Sequence, residues 1–83
     1  MFTGIVETTG VVKEVILSGT NKTFLIESAM AEELTVDQSI AHDGVCLTVE
    51  KIIGSQHQIT AVAETLSKTN LYDWAPGRAV NIE

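Results

Sequence analysis

Two side chains that can contact a ligand, a thiol and a hydroxyl, stand two residues apart in the middle of the chain. Val45, Leu47 and Val49 alternate there with Cys46 and Thr48, which is the pattern of a strand with one apolar face. The apolar set is predicted to face the core, which places Cys46 and Thr48 on the outer face about 7 Å apart. This pair suits a polar binding wall. An ordinary half-exposed strand with an unreactive cysteine fits the same spacing, and both interpretations stay open.

Residues 58–63 form a second candidate segment, a predicted strand with small side chains. Ala61 and Ala63 fall on one face, and Thr60 and Val62 fall on the other. Small side chains allow a flat ring to lie close to the backbone, where peptide N–H and C=O groups can contact its edge. The alternative interpretation is that core packing requires small residues here.

The remaining reactive residues do not form a catalytic or metal-binding set. Ser39, His42 and Asp43 superficially resemble a nucleophilic triad, but Asp43 belongs to a predicted turn and no third group orients a base. Cys46 is the only cysteine, and no paired histidine spacing accompanies it, so no metal site is predicted. Glu64–Thr65 suits the start of a helix and is predicted to cap it unless a ligand reaches there. No catalytic residue is assigned.

Short β-branched runs separated by turns must position these residues. Helical segments are predicted at Ala29–Leu34, with Ser28 as N-cap, and at Glu64–Leu71. Gly54–His57 is predicted to be a turn. Strands are predicted at Ile5–Ser18 with a break or bulge at Gly10, then at Thr23–Glu27, Ser39–Ala41, Val45–Ile53, Gln58–Ala63 and Ala79–Glu83. Six strands joined by short turns predict an all-β fold, an antiparallel sheet that closes into a barrel.

Composition and charge exclude several classes of partner. The 83 residues are 45% hydrophobic and 19% charged, which is typical of one small soluble domain. A net charge of −6 argues against binding to nucleic acid or to an anionic membrane surface. No apolar run reaches membrane-spanning length, and the first residues do not resemble a secretion signal. A single cysteine excludes an internal disulfide, which fits a cytoplasmic protein.

Four segments, in order, resemble riboflavin synthase (alpha chain), in particular its N-terminal lumazine-binding barrel domain. They are MFTGIVE at residues 1–7, SIAHDGVCLTV at 39–49, ETLSKTNL at 64–71 and VNIE at 80–83. The resemblance implies a six-stranded antiparallel Greek-key barrel, the first of two tandem barrels in a full-length protein that assembles as a homotrimer. It implies a dismutation in which one 6,7-dimethyl-8-ribityllumazine gives four carbons to another. The products are riboflavin and 5-amino-6-ribitylaminouracil, and no metal or cofactor takes part.

The resemblance also implies which residues contact the ligand. The implied substrate-binding residues are Gly4, Ile5, Val6, Cys46, Leu47, Thr48, Thr60, Ala61, Val62, Ala63, Glu64 and Thr65. Residues 60–63 match the family by position rather than by identity, and Val45 stands where some relatives carry a second cysteine.

Residues 1–83 form one barrel, so this chain alone is expected to bind ligand but to turn over poorly or not at all, and to be able to pair as a dimer. The alternatives are a non-catalytic lumazine- or flavin-binding antenna protein of the same fold and a barrel without a ligand.

Overall fold

The computed structural model describes residues 8–83 as seven β-strands, one short α-helix and two 3₁₀ turns. The helix α1 spans Ala63–Lys68, and the 3₁₀ turns span Ala31–Glu33 and Asn70–Asp73. The strands are β1 (Thr8–Ser18), β2 (Asn21–Glu27), β3 (Ser39–His42), β4 (Val45–Thr48), β5 (Lys51–Ile53), β6 (Gln56–Ala61) and β7 (Ala79–Ile82). The predicted all-β class is confirmed, with one strand more than the six predicted.

The order of the strands shows how the sheet closes into a barrel. Hydrogen bonds join them in the order β4-β3-β7-β1-β2-β6-β5, and the pairings are antiparallel. The strands at the two ends of this order, β4 and β5, follow each other in the chain and are separated only by Val49 and Glu50. The sheet must therefore curl until its ends meet, and β4 contacts β6 across that junction.

The predicted strand Val45–Ile53 is two strands because its hydrogen-bonding partner changes midway. The Val49 N–H donates to the carbonyl of Gln38, just before β3, at 2.8 Å. The next N–H, that of Glu50, donates to the carbonyl of Gln58 in β6, also at 2.8 Å. This corner carries the chain from one end of the sheet to the other, which accounts for the additional strand.

Gly10 is needed for close packing, and the bulge in β1 lies elsewhere. The register of β1 against β2 shifts between Val12 and Glu14, so the predicted break or bulge at Gly10 is wrong. A Cβ on Gly10 would lie 2.7 Å from Cδ1 of Ile82 and 2.8 Å from Cγ2 of Ile26. Both distances are shorter than carbon–carbon contact allows. A glycine is therefore needed at position 10 because the packed interior of the barrel leaves no room for a side chain.

The turn between β3 and β4 is confirmed, and it is fixed from β7. Asp43 and Gly44 have φ angles of 51° and 85°, which is the left-handed pair that a tight two-residue hairpin requires. The Asn81 N–H donates to Oδ1 of Asp43 at 2.8 Å, and the Asp43 N–H donates to the Asn81 carbonyl at 2.8 Å. The hairpin that carries Cys46 is thus held at its turn by the neighbouring strand.

The predicted helical segments are shorter than expected. The segment 29–34 contains a single 3₁₀ turn, and Ser28 does not cap it, since its hydroxyl has no hydrogen-bond partner among the described residues. Between 64 and 71 the α-helix ends at Lys68, because the Thr69 backbone is extended and its side chain accepts from the Leu71 N–H. Both segments hold only one or two turns, a length at which packing rather than propensity sustains a helix.

The interior of the barrel is filled. Trp74 covers Phe24 edge-on, with ring centroids 5.2 Å apart and planes at 66°, and Trp74 is buried whereas Tyr72 nearby is exposed. The other apolar side chains with no exposed surface include Val12, Ile26, Val49, Ile59, Leu71, Val80 and Ile82. A ligand must therefore be held on the outside of this barrel or at its ends.

Candidate functional site

The outer face of β4 carries the two predicted ligand groups. Cys46 and Thr48 are exposed, whereas Leu47 between them is 8% exposed and packs in the core. Pairing with β3 places Cys46 opposite Ala41 and Thr48 opposite Ser39. The predicted division of β4 into an apolar inner face and a polar outer face is confirmed. Leu47 can meet a ligand on the outer face only through its backbone.

A short hydrogen-bond network holds the hydroxyl that β6 contributes. The Thr60 hydroxyl donates to Oε1 of Glu50 at 2.7 Å. Since a hydroxyl has one proton, the Thr23 hydroxyl is the donor in its 2.8 Å contact with the Thr60 oxygen. Nε2 of Gln58 donates to the same Glu50 oxygen at 3.2 Å. Glu50 follows β4 by two residues, so this network ties the end of β4 to β6 on the outside of the barrel.

The strand β6 ends earlier than predicted, so residues 60–65 present different groups from those expected. Ala61 is the last residue of β6 and is fully buried, which supports core packing as the reason for its small side chain. Val62 is about half exposed, at 51%, and its carbonyl accepts the Leu66 N–H at 3.0 Å. Ala63 is already the first residue of α1 and is exposed. The predicted extension of this strand through Ala63 is wrong, because helical hydrogen bonding begins at Val62.

Neither Glu64 nor Thr65 caps α1, contrary to the prediction. The N-cap position is Val62, which forms no side-chain cap bond. The Glu64 carboxylate instead pairs with Nζ of Lys68 one turn later, at 2.9 Å, and both side chains are exposed. Thr65 contributes its carbonyl, which accepts from the Thr69 hydroxyl at 2.7 Å. The helix therefore does not require the hydroxyl of Thr65, which is half-buried.

An open groove of about 470 Å³ lies beside the start of α1. Its rim is fixed in part by Nζ of Lys22, which donates to the Tyr72 carbonyl at 2.8 Å. The residues that line the groove are Thr20, Ala63, Leu66, Ser67 and Tyr72. Ala63 is the one predicted binding residue in this set, so the groove adjoins the predicted site.

The strands β4 and β6, each of which carries predicted binding residues, contact each other. Gly4, Ile5 and Val6 lie outside the described residues. Within residues 8–83 no group of three or more His, Cys, Asp or Glu side chains is placed to hold a metal ion. None of the helices in that range is long and apolar enough to cross a membrane.

Sequence reasoning missed a buried histidine pair, because it placed His57 in a turn. His57 lies in β6, fully buried, and its Nε2 is 2.9 Å from Nε2 of His42, which is also fully buried. Burial and the neighbouring His57 lower the pKa of His42 to about 3, and burial lowers the pKa of His57 to about 4. The alternation of His57 with Ile59 and Ala61 was the available signal, since it places all three on the inner face of one strand.

The fold and this outer face define the class: an antiparallel β-barrel with a filled interior and a polar wall formed by β4 and β6. Within that class the chain belongs to the lumazine binding domain family, whose model matches residues 3–83.

Individual relatives agree with this assignment. Riboflavin synthase from Bacillus subtilis (strain 168) is 36% identical over 84 residues, an alignment that covers this whole chain and 39% of the relative. Riboflavin synthase from Escherichia coli (strain K12) is 38% identical over 85 residues and is covered to 40%. The chain thus spans about two-fifths of the length of these curated relatives.

Solved structures show the same fold. The crystal structure of LumP complexed with 6,7-dimethyl-8-(1'-D-ribityl) lumazine matches all of this chain and 48% of the LumP chain, with a TM-score of 0.94. The LumP complex with riboflavin gives the same TM-score over 46% of that chain. Sequence identity is 24% in both comparisons, so the likeness establishes the shared barrel fold.

Proposed function

We propose that this chain is a lumazine-binding domain of a riboflavin synthase, which holds 6,7-dimethyl-8-ribityllumazine or riboflavin against the outer wall of its barrel. The observation that carries the proposal is the contact of β4 with β6 in a member of the lumazine binding domain family. Exposed Cys46 and Thr48 lie on one strand, and the fixed hydroxyl of Thr60 lies on the other.

The chemistry of this wall suits a flat heteroaromatic ring with polar edges. The barrel interior is filled, so a ring must lie on the outside, where hydroxyl groups and backbone N–H and C=O groups can hydrogen-bond its edge. Leu47 and Ala61 have buried side chains and would contribute backbone groups. The proposed contact residues within the described part of the chain are Cys46, Leu47, Thr48, Thr60, Ala61, Val62, Ala63, Glu64 and Thr65, and Gly4, Ile5 and Val6 are proposed outside it.

The longer protein is part of the same proposal. Two tandem barrels would assemble as a cytoplasmic homotrimer and convert two lumazines into riboflavin and 5-amino-6-ribitylaminouracil, with no resident metal or cofactor. This domain would supply one ligand wall. Alone, it would pair with a second copy across its exposed apolar surface.

A second candidate function is a non-catalytic lumazine- or flavin-binding antenna protein. It is favoured by the state of Glu50, a carboxylate beside this wall, whose Oε1 already accepts from Thr60 and Gln58. A carboxylate with such partners orients neighbouring groups and is poorly placed to remove a proton from a ligand. Binding without catalysis requires nothing more than the wall itself.

Ligand binding is the first test of both candidates. Titrating the purified chain into riboflavin, or into the lumazine, is expected to change the ligand's fluorescence with one site per barrel and saturation at micromolar concentration. Adding riboflavin to the lumazine complex should displace the lumazine, because both ligands would occupy the same wall. Fluorescence that stays constant well above micromolar protein concentration would exclude both the enzyme domain and the antenna protein.

Thr48→Val tests the position of the ligand. The substitution keeps the volume and β-branching but removes the hydroxyl, so this exposed position on β4 should retain its stability. Loss of one hydrogen bond is expected to weaken riboflavin binding by about 0.5–1.5 kcal/mol, or roughly two- to tenfold in Kd. The matched control is Thr35→Val, an exposed threonine in the loop before β3, which should leave Kd unchanged. A Thr48→Val affinity equal to that of the control would place the ligand elsewhere.

A further inference from the structure

His42 and His57 form a hydrogen bond that crosses the interior of the barrel. Their Nε2 atoms are 2.9 Å apart, and neither side chain has exposed surface. His42 ends β3 and His57 lies in β6. Between these two strands the sheet order places β7, β1 and β2, so the contact joins parts of the sheet that no ladder hydrogen bond connects.

The surroundings of the pair are apolar. The ladder partners of His42 are Val45 and Ile82, and those of His57 are Ile26 and Ile52. Directly paired residues share a face of the sheet, so aliphatic side chains flank both rings. Among residues 8–83 the two histidines are the only buried titratable side chains. The titratable or charged side chains on the strands packed against them, or adjoining those strands, are partly or fully exposed: Lys22, Glu27, Asp43, Cys46, Glu50, Lys51, Arg78 and Glu83.

The geometry determines how many protons the pair holds. A hydrogen bond between two Nε2 atoms needs one donor and one acceptor, so the neutral pair carries a single proton on this axis. One ring is then the Nε2–H tautomer and the other is the Nδ1–H tautomer. Neither Nδ1 atom has a hydrogen-bond partner among the described residues. The arrangement therefore depends on the rings holding opposite tautomers.

We propose that the His42–His57 pair is a one-proton cross-link that holds the β3–β4 hairpin against β6 at neutral pH and releases it in acid. One added proton places a charge among aliphatic side chains, and no buried carboxylate lies within residues 8–83 to balance it. A second added proton sets two N–H groups against each other at 2.9 Å. The inference goes beyond the proposed function and needs no ligand, although Cys46 and Thr60 lie on the two elements that the pair joins.

The direction of the pH effect follows from the protonation of the folded and unfolded chains. In the folded chain the pKa of His42 is lowered to about 3 and that of His57 to about 4, from 6.5 for an ordinary histidine. The unfolded chain therefore takes up protons first, so stability is fully present above pH 6.5 and is lost as the pH falls toward 4. Each histidine raises the unfolding equilibrium constant by up to about tenfold per pH unit in that window.

Two measurements on the ligand-free chain test the cross-link. Long-range ¹H–¹⁵N correlation spectra of the imidazole rings at pH 7 should show one Nε2–H and one Nδ1–H tautomer, with neither ring titrating above pH 5. Urea unfolding should show an equilibrium constant that rises on the order of several hundredfold between pH 7 and pH 5. Most carboxylates remain ionised in this range, which isolates the histidines.

The double variant His42→Gln/His57→Gln is the matched control. A glutamine amide can both donate and accept but does not titrate, so this variant should unfold with nearly the same equilibrium constant at pH 7 and pH 5. If the histidine pair had only a structural role, the double variant would be less stable than the unaltered chain by the same amount at every pH. The proposal is overturned by two rings in the same tautomer, by a ring that titrates near pH 6.5, or by a double variant that keeps the acid sensitivity. If the double variant does not fold, the imidazole spectra of the unaltered chain decide the question.

Discussion

Replacing Phe24 by alanine is expected to lower the free energy of unfolding by about 3–5 kcal/mol. Phe24 has no exposed surface, lies between Val15 of β1 and Ile59 of β6, and packs edge-on against Trp74. The substitution removes this buried area and leaves a cavity, because the strands of a closed barrel cannot move inward to fill it. A domain of this length has a total stability of about 4–12 kcal/mol. Urea unfolding followed by Trp74 fluorescence measures the loss directly.

Leu17→Ala is the matched control for Phe24→Ala. Leu17 lies on β1 of the same β1–β2 hairpin, but 71% of its surface is exposed. Removing an exposed aliphatic side chain should change the unfolding free energy by no more than about 0.5 kcal/mol. Equal losses for the two variants would mean that Phe24 does not fill the interior and that the barrel is not closed around it.

The sequence predicted the all-β barrel because its signals are local. Alternation of apolar and polar residues marked the strands, and the Asp43–Gly44 turn depends on residue types that favour positive φ. Short loops then required antiparallel pairing. The corner at Val49 and Glu50 was missed although the alternation changes phase there, from an inward-facing Val49 to an inward-facing Ile52 with Lys51 exposed. The change of partner from β3 to β6 depends on how the sheet closes, which is a non-local property.

The candidate site was predicted unevenly for the same reason. The outward position of Cys46 and Thr48 followed from alternation on β4 and is confirmed. The role of Ala61 was left open between ligand contact and packing, and its complete burial supports packing. The bond from Thr60 to Glu50 joins residues ten positions apart across the barrel junction, so no sequence pattern predicts it. Whether these residues touch a ligand stays a prediction until binding is measured.

The histidine pair was missed because the turn signal at Gly54 and Ser55 was extended over residues that belong to the next strand. Gly54 and Ser55 indicate a turn, and the polar residues after them were assigned to the same turn. The structure begins β6 at Gln56 instead, so His57 falls on the inner face. A polar side chain on an inner face is exceptional unless it has a partner. The partner here is His42, fifteen residues earlier in the chain and on a strand that is not adjacent in the sheet.

The second large prediction concerns turnover and rests on the proposed function. Dismutation requires two flat lumazines held face to face while a proton leaves a ring methyl group. One barrel offers one wall and one set of contacts, so a bound ring would be open to water on its other face. Well-oriented reactants can gain roughly 7–11 kcal/mol of barrier reduction from positioning. A single wall would forgo several kcal/mol of this.

Riboflavin formation by this chain is therefore expected to be slower, per binding site, than by the longer Bacillus subtilis riboflavin synthase. The expected difference is on the order of a thousandfold or more, because each 1.4 kcal/mol of lost positioning slows the reaction about tenfold. Steady-state conversion of lumazine, followed by riboflavin absorbance, measures both rates.

Riboflavin titration of the same preparation is the control, because it shows that the wall is intact and binds ligand. A folded, ligand-binding chain with a rate within tenfold of the longer enzyme would show that a single barrel, or a pair of identical barrels, already holds two lumazines in the reactive arrangement. The antenna alternative predicts a different outcome, in which no riboflavin forms even when the chain is joined to a second barrel as in the proposed longer protein, although the ligand still binds.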